Sequence, residues 1–351
     1  AHVGVGIEGL EGKQAVNNSD FAIAQFRFLQ KLLLCHGRWC YRRMATVSYY
    51  MFYKNAFFVF ANWFTGFWQN FSGQNFYLEY PLYQGHNMFW TALPIIIFGV
   101  FDKDLVKDVC MRVPEVYQDG IKGVYFSNKI FAQWIFEAFV TGIICSCMGL
   151  ITVEYSSIGT LGVGLYYIGT IIHLCMSVVT NVRLMLIVRD WTWVVVLIFT
   201  GSIASWFLIM IWLSESFIQT MQNFFSMNTV GMLEQLVKDE YWWFTLLLAN
   251  VLCIMPFFAQ KAYMSFYRPR TSQLMQEYQY KHATRLGLDK RPVFCCCGKQ
   301  EGDPREVEIE VKEIELKDMF EGEKDQEYEK RILNLNSEST GSLPNDNPLT
   351  V

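Results

Sequence analysis

AHVGVGIEGLEGKQAVNNSDFAIAQ (1–25), FRFLQKLLLCHGRWCYRR (26–43) and MATVSYYMFYKNAFFVFANWF (44–64) follow one another without a break. Val3–Ile7 has the β-branched content of a strand, punctuated by Gly4 and Gly6, and Glu8-Gly9 make a turn. Residues 11–19 suit one short helix, and Phe21–Ala24 a second short strand. From Phe26 the period becomes helical: Phe26, Leu29, Leu33 and Leu34 recur near 3–4 spacing, with Arg27, Lys31 and Arg38 between them. No proline follows until Pro81, so one helix from Phe26 to about Trp68 is expected, ~60 Å long at 1.5 Å per residue. Soluble α/β structure is thus joined to membrane through a single helix.

Outward from this stretch, the chain is 52% hydrophobic, 17% aromatic and only 18% charged. Its apolar residues lie in blocks long enough to cross a bilayer, which takes about 20 helical residues. The pattern predicts six spans: Met44–Trp68, Leu82–Phe101, Ile130–Val153, Gly159–Ile187, Trp191–Leu213 and Trp242–Ala259. The second contains Pro94, which a span tolerates where neighbours or water satisfy the freed carbonyl. Bases cluster before span one (Arg27, Lys31, Arg38, Arg42, Arg43), between spans two and three, at Arg183 and Arg189, and after span six. The alternate loops are almost free of them, which places both ends of the chain in the cytosol. Arg38, Arg42 and Arg43 are expected to anchor the helix at anionic headgroups. Three regions result: 1–30 soluble, 31–262 membrane and 263–351 a cytosolic tail. The last is acidic around Val307–Phe320, with its final stretch expected to be disordered. The cysteines do not form a disulfide framework: Cys145, Cys147, Cys175 and Cys253 lie in apolar segments, and Cys295–Cys297 are candidates for S-palmitoylation.

Lys54 is the sharpest chemical signal. A cation at mid-span costs ~2.5–3.5 kcal/mol on insertion scales, and such residues usually face the interior of a bundle. Beside Asn55 it could meet a lipid phosphate or carboxylate; the alternatives are an ion pair with an acid such as Glu137, or snorkelling. Asn87 and Thr91 are four residues apart, which on a helix puts both on one face towards the same path. The competing reading is ordinary interhelical hydrogen bonding, worth ~0.6 kcal/mol. Spans one and two hold no Asp or Glu in their apolar parts, so a hard cation, which wants several oxygen ligands, is poorly served there. His173 reads as a satisfied core histidine. Gly4 and Gly6 are not a phosphate loop, because no Gly-Lys-Ser/Thr follows; close backbone packing is their expected role.

AHVGVGI, then GLEGKQAVNNSDFAIAQFRFLQKLLLCHGRWCYRR, FYKN, NMFWTALP and GVFDKDL closely resemble the C-terminal part of type IV P-type ATPases, the phospholipid flippases. The resemblance implies a mainly α fold: a six-helix transmembrane bundle, preceded by the end of an α/β (HAD-like) phosphorylation domain and followed by a partly disordered tail. It implies ATP-driven movement of phospholipid to the cytosolic leaflet through an aspartyl-phosphate. The Mg²⁺ and ATP would be bound upstream, so this chain, as the C-terminal piece of something larger, would be inactive alone. Lys54 and Asn55 match the family's FYKN, and Asn87 and Thr91 its second-span motif. Gly9, Glu11, Gly12, Gln14, Asp20 and Arg38 fall in the segment that couples the domains. The implied partners are the phospholipid substrate and a two-span accessory subunit, with no nucleic acid. The tail would be autoinhibitory by analogy with some flippases. An ion-pumping P-type ATPase and a six-span channel or transporter are the rival readings. The ion pump conflicts with the missing intramembrane acids, and the channel leaves residues 1–30 unexplained.

Overall fold

Two short strands and one short helix open the chain. β1 (Val5–Ile7) and β2 (Phe21–Ile23) pair in parallel, Val5 opposite Phe21 and Ile7 opposite Ile23, with α1 (Lys13–Asn17) as the crossover. The computed structural model describes residues 2–9, 13–73, 79–155, 165–214, 232–267 and 269–281. Gly6 lies under α1: a Cβ there would come within 2.7 Å of Ser19 Oγ and 3.0 Å of the Val16 backbone. Glycine is what lets helix and strand approach, the packing role expected for it. The Asp20 carboxylate accepts the Gly4 N–H at 2.8 Å and pins the start of β1 beside the start of β2.

Helix then runs from Phe28 to Thr65: α2 (Phe28–Lys31), a π-wound segment (Leu32–Gly37) and α3 (Arg38–Thr65). The run is roughly 57 Å long. The π turns are the departure from a uniform α-helix, and such wider turns commonly sit at functional positions. The second apolar stretch is less regular than its hydropathy suggests. It winds as π-helix over Glu79–Gln84 and His86–Trp90, breaks at Thr91 (φ −125°, ψ −16°), and continues as α4 (Ala92–Phe101). α5 (Lys107–Arg112), a 3-10 turn (Pro114–Tyr117) and α6 (Gln118–Ile121) make a polar connection. α7 (Asn128–Tyr155), α8 (Leu165–Ile187), α9 (Trp193–Ser214), the short α10 (Met232–Lys238), α11 (Glu240–Tyr267) and α12 (Thr271–Lys281) follow.

Among the described residues four helices are long and apolar enough to cross a membrane: α7, α8, α9 and α11. α3 is long enough, but arginines, a lysine and four tyrosines lower its hydropathy. α4 has only ten residues. α8 is the most enclosed of the four, and its buried side includes Thr170, His173, Ser177, Thr180, Asn181 and Arg183. α3 and α7 lie closest together at Gly142, where a Cβ would meet Phe60 Cβ at 3.1 Å and the Ala61 nitrogen at 3.2 Å; one turn on, Ser146 Oγ donates to the Ala61 carbonyl. Around this contact Tyr53, Phe57, Cys145, Ile172, Cys175, Trp206 and Cys253 form the core. The outward faces of α9 and α11 are also apolar (Leu197, Leu208, Leu247, Phe258), as a surface facing lipid requires. Residues 1–262 form one compact unit, and α12 belongs to a second, 263–351. The glycines Gly159, Gly162 and Gly164, expected to permit close helix packing, the cysteine triplet and the tail segment Val307–Phe320 lie outside the described residues.

Candidate functional site

The break at Thr91 is built by three helices. Pro94 has no N–H for the carbonyl of Trp90, four residues earlier. Asn181 of α8 donates Nδ2 to that carbonyl at 3.1 Å, and Ser202 of α9 donates Oγ at 2.6 Å. Neighbouring helices therefore satisfy the freed carbonyl, as Pro94 in a span requires.

Lys54 of α3 reaches this break. It is 1% exposed, and its Nζ donates to Thr91 Oγ1 at 2.8 Å; that hydroxyl in turn donates to the His86 carbonyl at 2.8 Å. Among the described residues no carboxylate lies within 4 Å of the ammonium. An ammonium has three donors, and Thr91 engages one. The acid proposed as a structural partner is taken elsewhere: Glu137 of α7 pairs with Arg183 of α8 and accepts from Gln133 at 2.6 Å.

The polar residues expected along this path do not all gather. Asn87 and Thr91 were expected on one helical face, but π winding and the break separate them: Asn87 is exposed and Thr91 fully buried. Asn55, about 100° around α3 from Lys54, is also exposed. In their place stands a chain of rings that the sequence reading passed over except at His173. Trp206 Nε1 donates to His173 Nδ1 at 3.1 Å, and His173 Nε2 faces His86 Nδ1 at 3.3 Å. Phe58, one turn beyond Lys54, packs on the His86 ring at 4.8 Å, and Trp90 packs on His173 at 4.8 Å. His86, the one histidine between Leu82 and Phe101, was the available signal.

The basic neck departs from its expectation. Arg38 and Arg42 are not free for headgroups. Arg38 grips Asp104 through two hydrogen bonds of 2.8 and 2.6 Å, and Arg42 donates to Asp102 at 2.7 Å. Arg43 donates to the Val100 carbonyl. Both arginines and both aspartates are buried. Burial acts to raise the Asp104 carboxyl, but the hydrogen bonds and charges of Arg38 and Arg42 outweigh it and hold it below its ordinary value. Asp102 also accepts the backbone N–H groups of Arg189 and Asp190, at 2.7 and 3.1 Å. The two arginines are one turn apart and the two aspartates two residues apart, which was a legible pattern. Of the other residues expected to couple the domains, Gly9 and Gln14 are exposed, Asp20 closes the strand pair, and Glu11 and Gly12 lie outside the described residues.

Residues 16–270, which contain the neck, Lys54 and the break, match the family described as phospholipid-translocating P-type ATPase C-terminal. The chain belongs to this family. It is 33% identical to Phospholipid-transporting ATPase 10 of Arabidopsis thaliana over 284 residues, covering 80% of this chain and 23% of that protein. The probable phospholipid-transporting ATPase 5 of the same plant is 32% identical over 283 residues, with the same coverages. Phospholipid-transporting ATPase C887.12 of Schizosaccharomyces pombe is 31% identical over 294 residues, covering 83% and 23%. The chain therefore spans less than a quarter of the length of these relatives, and membership of the family favours neither the ion-pump nor the channel reading.

Proposed function

We propose that the protein containing this chain is an ATP-driven phospholipid flippase. In this reading the chain supplies the last six membrane helices: α3, the broken segment ending in α4, and the four apolar helices. Residues 1–30 are the end of the phosphorylation domain, and residues 263–351 are a cytosolic tail, with both ends of the chain on the cytosolic side. ATP and Mg²⁺ act in parts of the protein outside this chain. A two-span accessory subunit, as in other flippases, completes the assembly.

One observation carries the proposal: a buried lysine whose hydrogen-bond partner among the described residues is a single hydroxyl, with no described carboxylate beside it, at a helix break in this family. A permanently paired Lys54 would be structural. A Lys54 held by Thr91 alone can exchange that neutral acceptor for a phosphate or carboxylate oxygen, whose charged hydrogen bond is about twice as strong. Asn55 and Asn87, being exposed, would meet the headgroup at the outer faces of the path. Because helix continues from α2 into α3, movement of the soluble end would be transmitted to Lys54.

The test is lipid-stimulated ATP hydrolysis by full-length Lys54→Ala. The apparent KM for phospholipid should rise by roughly tenfold or more. An unchanged lipid affinity would remove Lys54 from the path.

A further inference from the structure

His86 is 1% exposed, and its Nε2 is a buried nitrogen without a hydrogen-bond partner. The proton positions around it follow from donor chemistry. An indole N–H only donates, so in the Trp206–His173 bond His173 Nδ1 accepts. A neutral His173 then carries its proton on Nε2 and donates it to His86 Nδ1. His86 Nδ1 is thereby an acceptor, so the His86 proton lies on Nε2, the atom with no partner. Trp206 and His173 thus hold His86 in the tautomer whose unused group is a donor. Leaving such a donor buried and unmet is unfavourable, because it forfeits its bonds to water without replacing them. Trp90 Nε1, in the ring packed edge-on against His173, is a second buried donor without a partner.

We propose that His86 is a further headgroup-binding residue: its Nε2–H donates to an anionic oxygen of the lipid that Lys54 also holds. This rests on the flippase reading above. Thr91 ties the two groups together, accepting from Lys54 while donating to the His86 carbonyl. Lys54 supplies charge, and His86 supplies direction. The ligand class is an anionic oxygen of a phosphodiester or of a headgroup carboxylate. Trp206 is a positioning residue, which sets the direction of the donor without touching the lipid.

The experiment uses the full-length protein in phosphatidylcholine vesicles doped with phosphatidylserine or phosphatidylethanolamine. The readouts are KM and kcat of lipid-stimulated ATP hydrolysis. His86→Asn keeps a polar atom at the Nδ1 position and loses the Nε2 donor; KM should rise roughly tenfold with kcat nearly unchanged. His86→Gln, whose amide reaches the Nε2 position, should recover most of the affinity. Trp206→Phe leaves His86 in place but removes the bond that orients the relay, and should raise KM in the same sense. If His86→Asn does not assemble, Trp206→Phe carries the test. A rise for both lipids assigns the contact to the phosphate; a rise for phosphatidylserine alone assigns it to the carboxylate. An unchanged KM in His86→Asn and Trp206→Phe would overturn the inference and leave Nε2 bonded to water at most. Lys54→Ala separates the two levels: an unchanged KM there sinks the flippase path itself, whereas an impaired Lys54→Ala with a normal His86→Asn sinks only the role of His86.

Discussion

A guanidinium near the end of α8 is held by three rings and one carboxylate. Arg183 lies 3.9 Å from the centre of Tyr53, 4.2 Å from Trp134 and 4.7 Å from Phe257, and pairs with Glu137. It joins α3, α7, α8 and α11 in one contact, and the Tyr53 of that contact is next in sequence to Lys54. Two effects compete to explain its hold. The Glu137 side chain is 20% exposed, so solvent weakens the ion pair. Arg183 is 3% exposed and the Tyr53 ring is buried, with Trp134 and Phe257 half-buried; these contacts need a planar cation, and desolvated cation–π contacts contribute up to about 2 kcal/mol. Stacking should therefore dominate. Arg183→Lys, which keeps the charge and loses the plane, is expected to cost about 1–2 kcal/mol in thermal unfolding of the detergent-solubilised protein. Glu137→Gln, which keeps the contact with Gln133 possible, should cost less, about 0.5–1 kcal/mol. The reverse order would show that the carboxylate holds Arg183.

At the scale of elements, the interruption before α4 depends on two other helices. Asn181 and Ser202 both donate to the Trp90 carbonyl that Pro94 leaves free. Ser202→Ala should cost only about 0.5–1.5 kcal/mol, because Asn181 remains. Ser202→Ala with Asn181→Ala should cost more than the sum of the singles, since a buried carbonyl is then unmet. Adding Pro94→Ala restores an N–H four residues on and should recover part of the loss, as measured by unfolding midpoints. Strict additivity, with no recovery, would mean that the break does not depend on these caps. Pro94 and its need for a partner were legible in the sequence, because proline chemistry is local. The partners were not, because Asn181 and Ser202 lie about 90 and 110 residues away and only the packing brings them together. The same distinction explains Asn87 and Thr91: their spacing predicts a shared face under α winding, and π winding, which no residue pattern announced, cancels it.

Across the whole molecule, the helix from Phe28 to Thr65 is clamped near its N-terminal end, at Arg38 and Arg42. Strand, helix, strand and long helix were readable in order from turn residues and periodicity, since each of those signals is short-range. The clamp was not: isolated arginines before a span resemble headgroup anchors until Asp102 and Asp104 fold back onto them. Arg38 and Arg42 tie α3 to the connection after α4, and Asp102 extends the tie to the turn between α8 and α9. The folded Asp104 carboxyl titrates below its unfolded counterpart, so its contribution is complete above the unfolded value near pH 4 and is lost as pH falls through the lower folded one. The clamp should accordingly hold unchanged throughout the neutral range. Removing it separates transmission from chemistry. Asp102→Ala in the full-length protein removes the acceptor of Arg42 Nη1 and of the Arg189 and Asp190 backbone N–H groups, and on the proposed function the segments that bind ATP lie outside this chain. Phosphoenzyme formation from ATP is expected to persist, while stimulation of ATP hydrolysis by phospholipid falls by at least roughly tenfold, since about 1.4 kcal/mol of lost coupling is tenfold and a broken buried pair commonly costs more than that. Asp102→Asn, which keeps an acceptor for the N–H groups of Arg189 and Asp190, should fall between Asp102→Ala and the unmodified protein. Loss of phosphoenzyme together with lipid stimulation would show that the clamp merely holds the fold; full stimulation in Asp102→Ala would show that motion reaches Lys54 by another route.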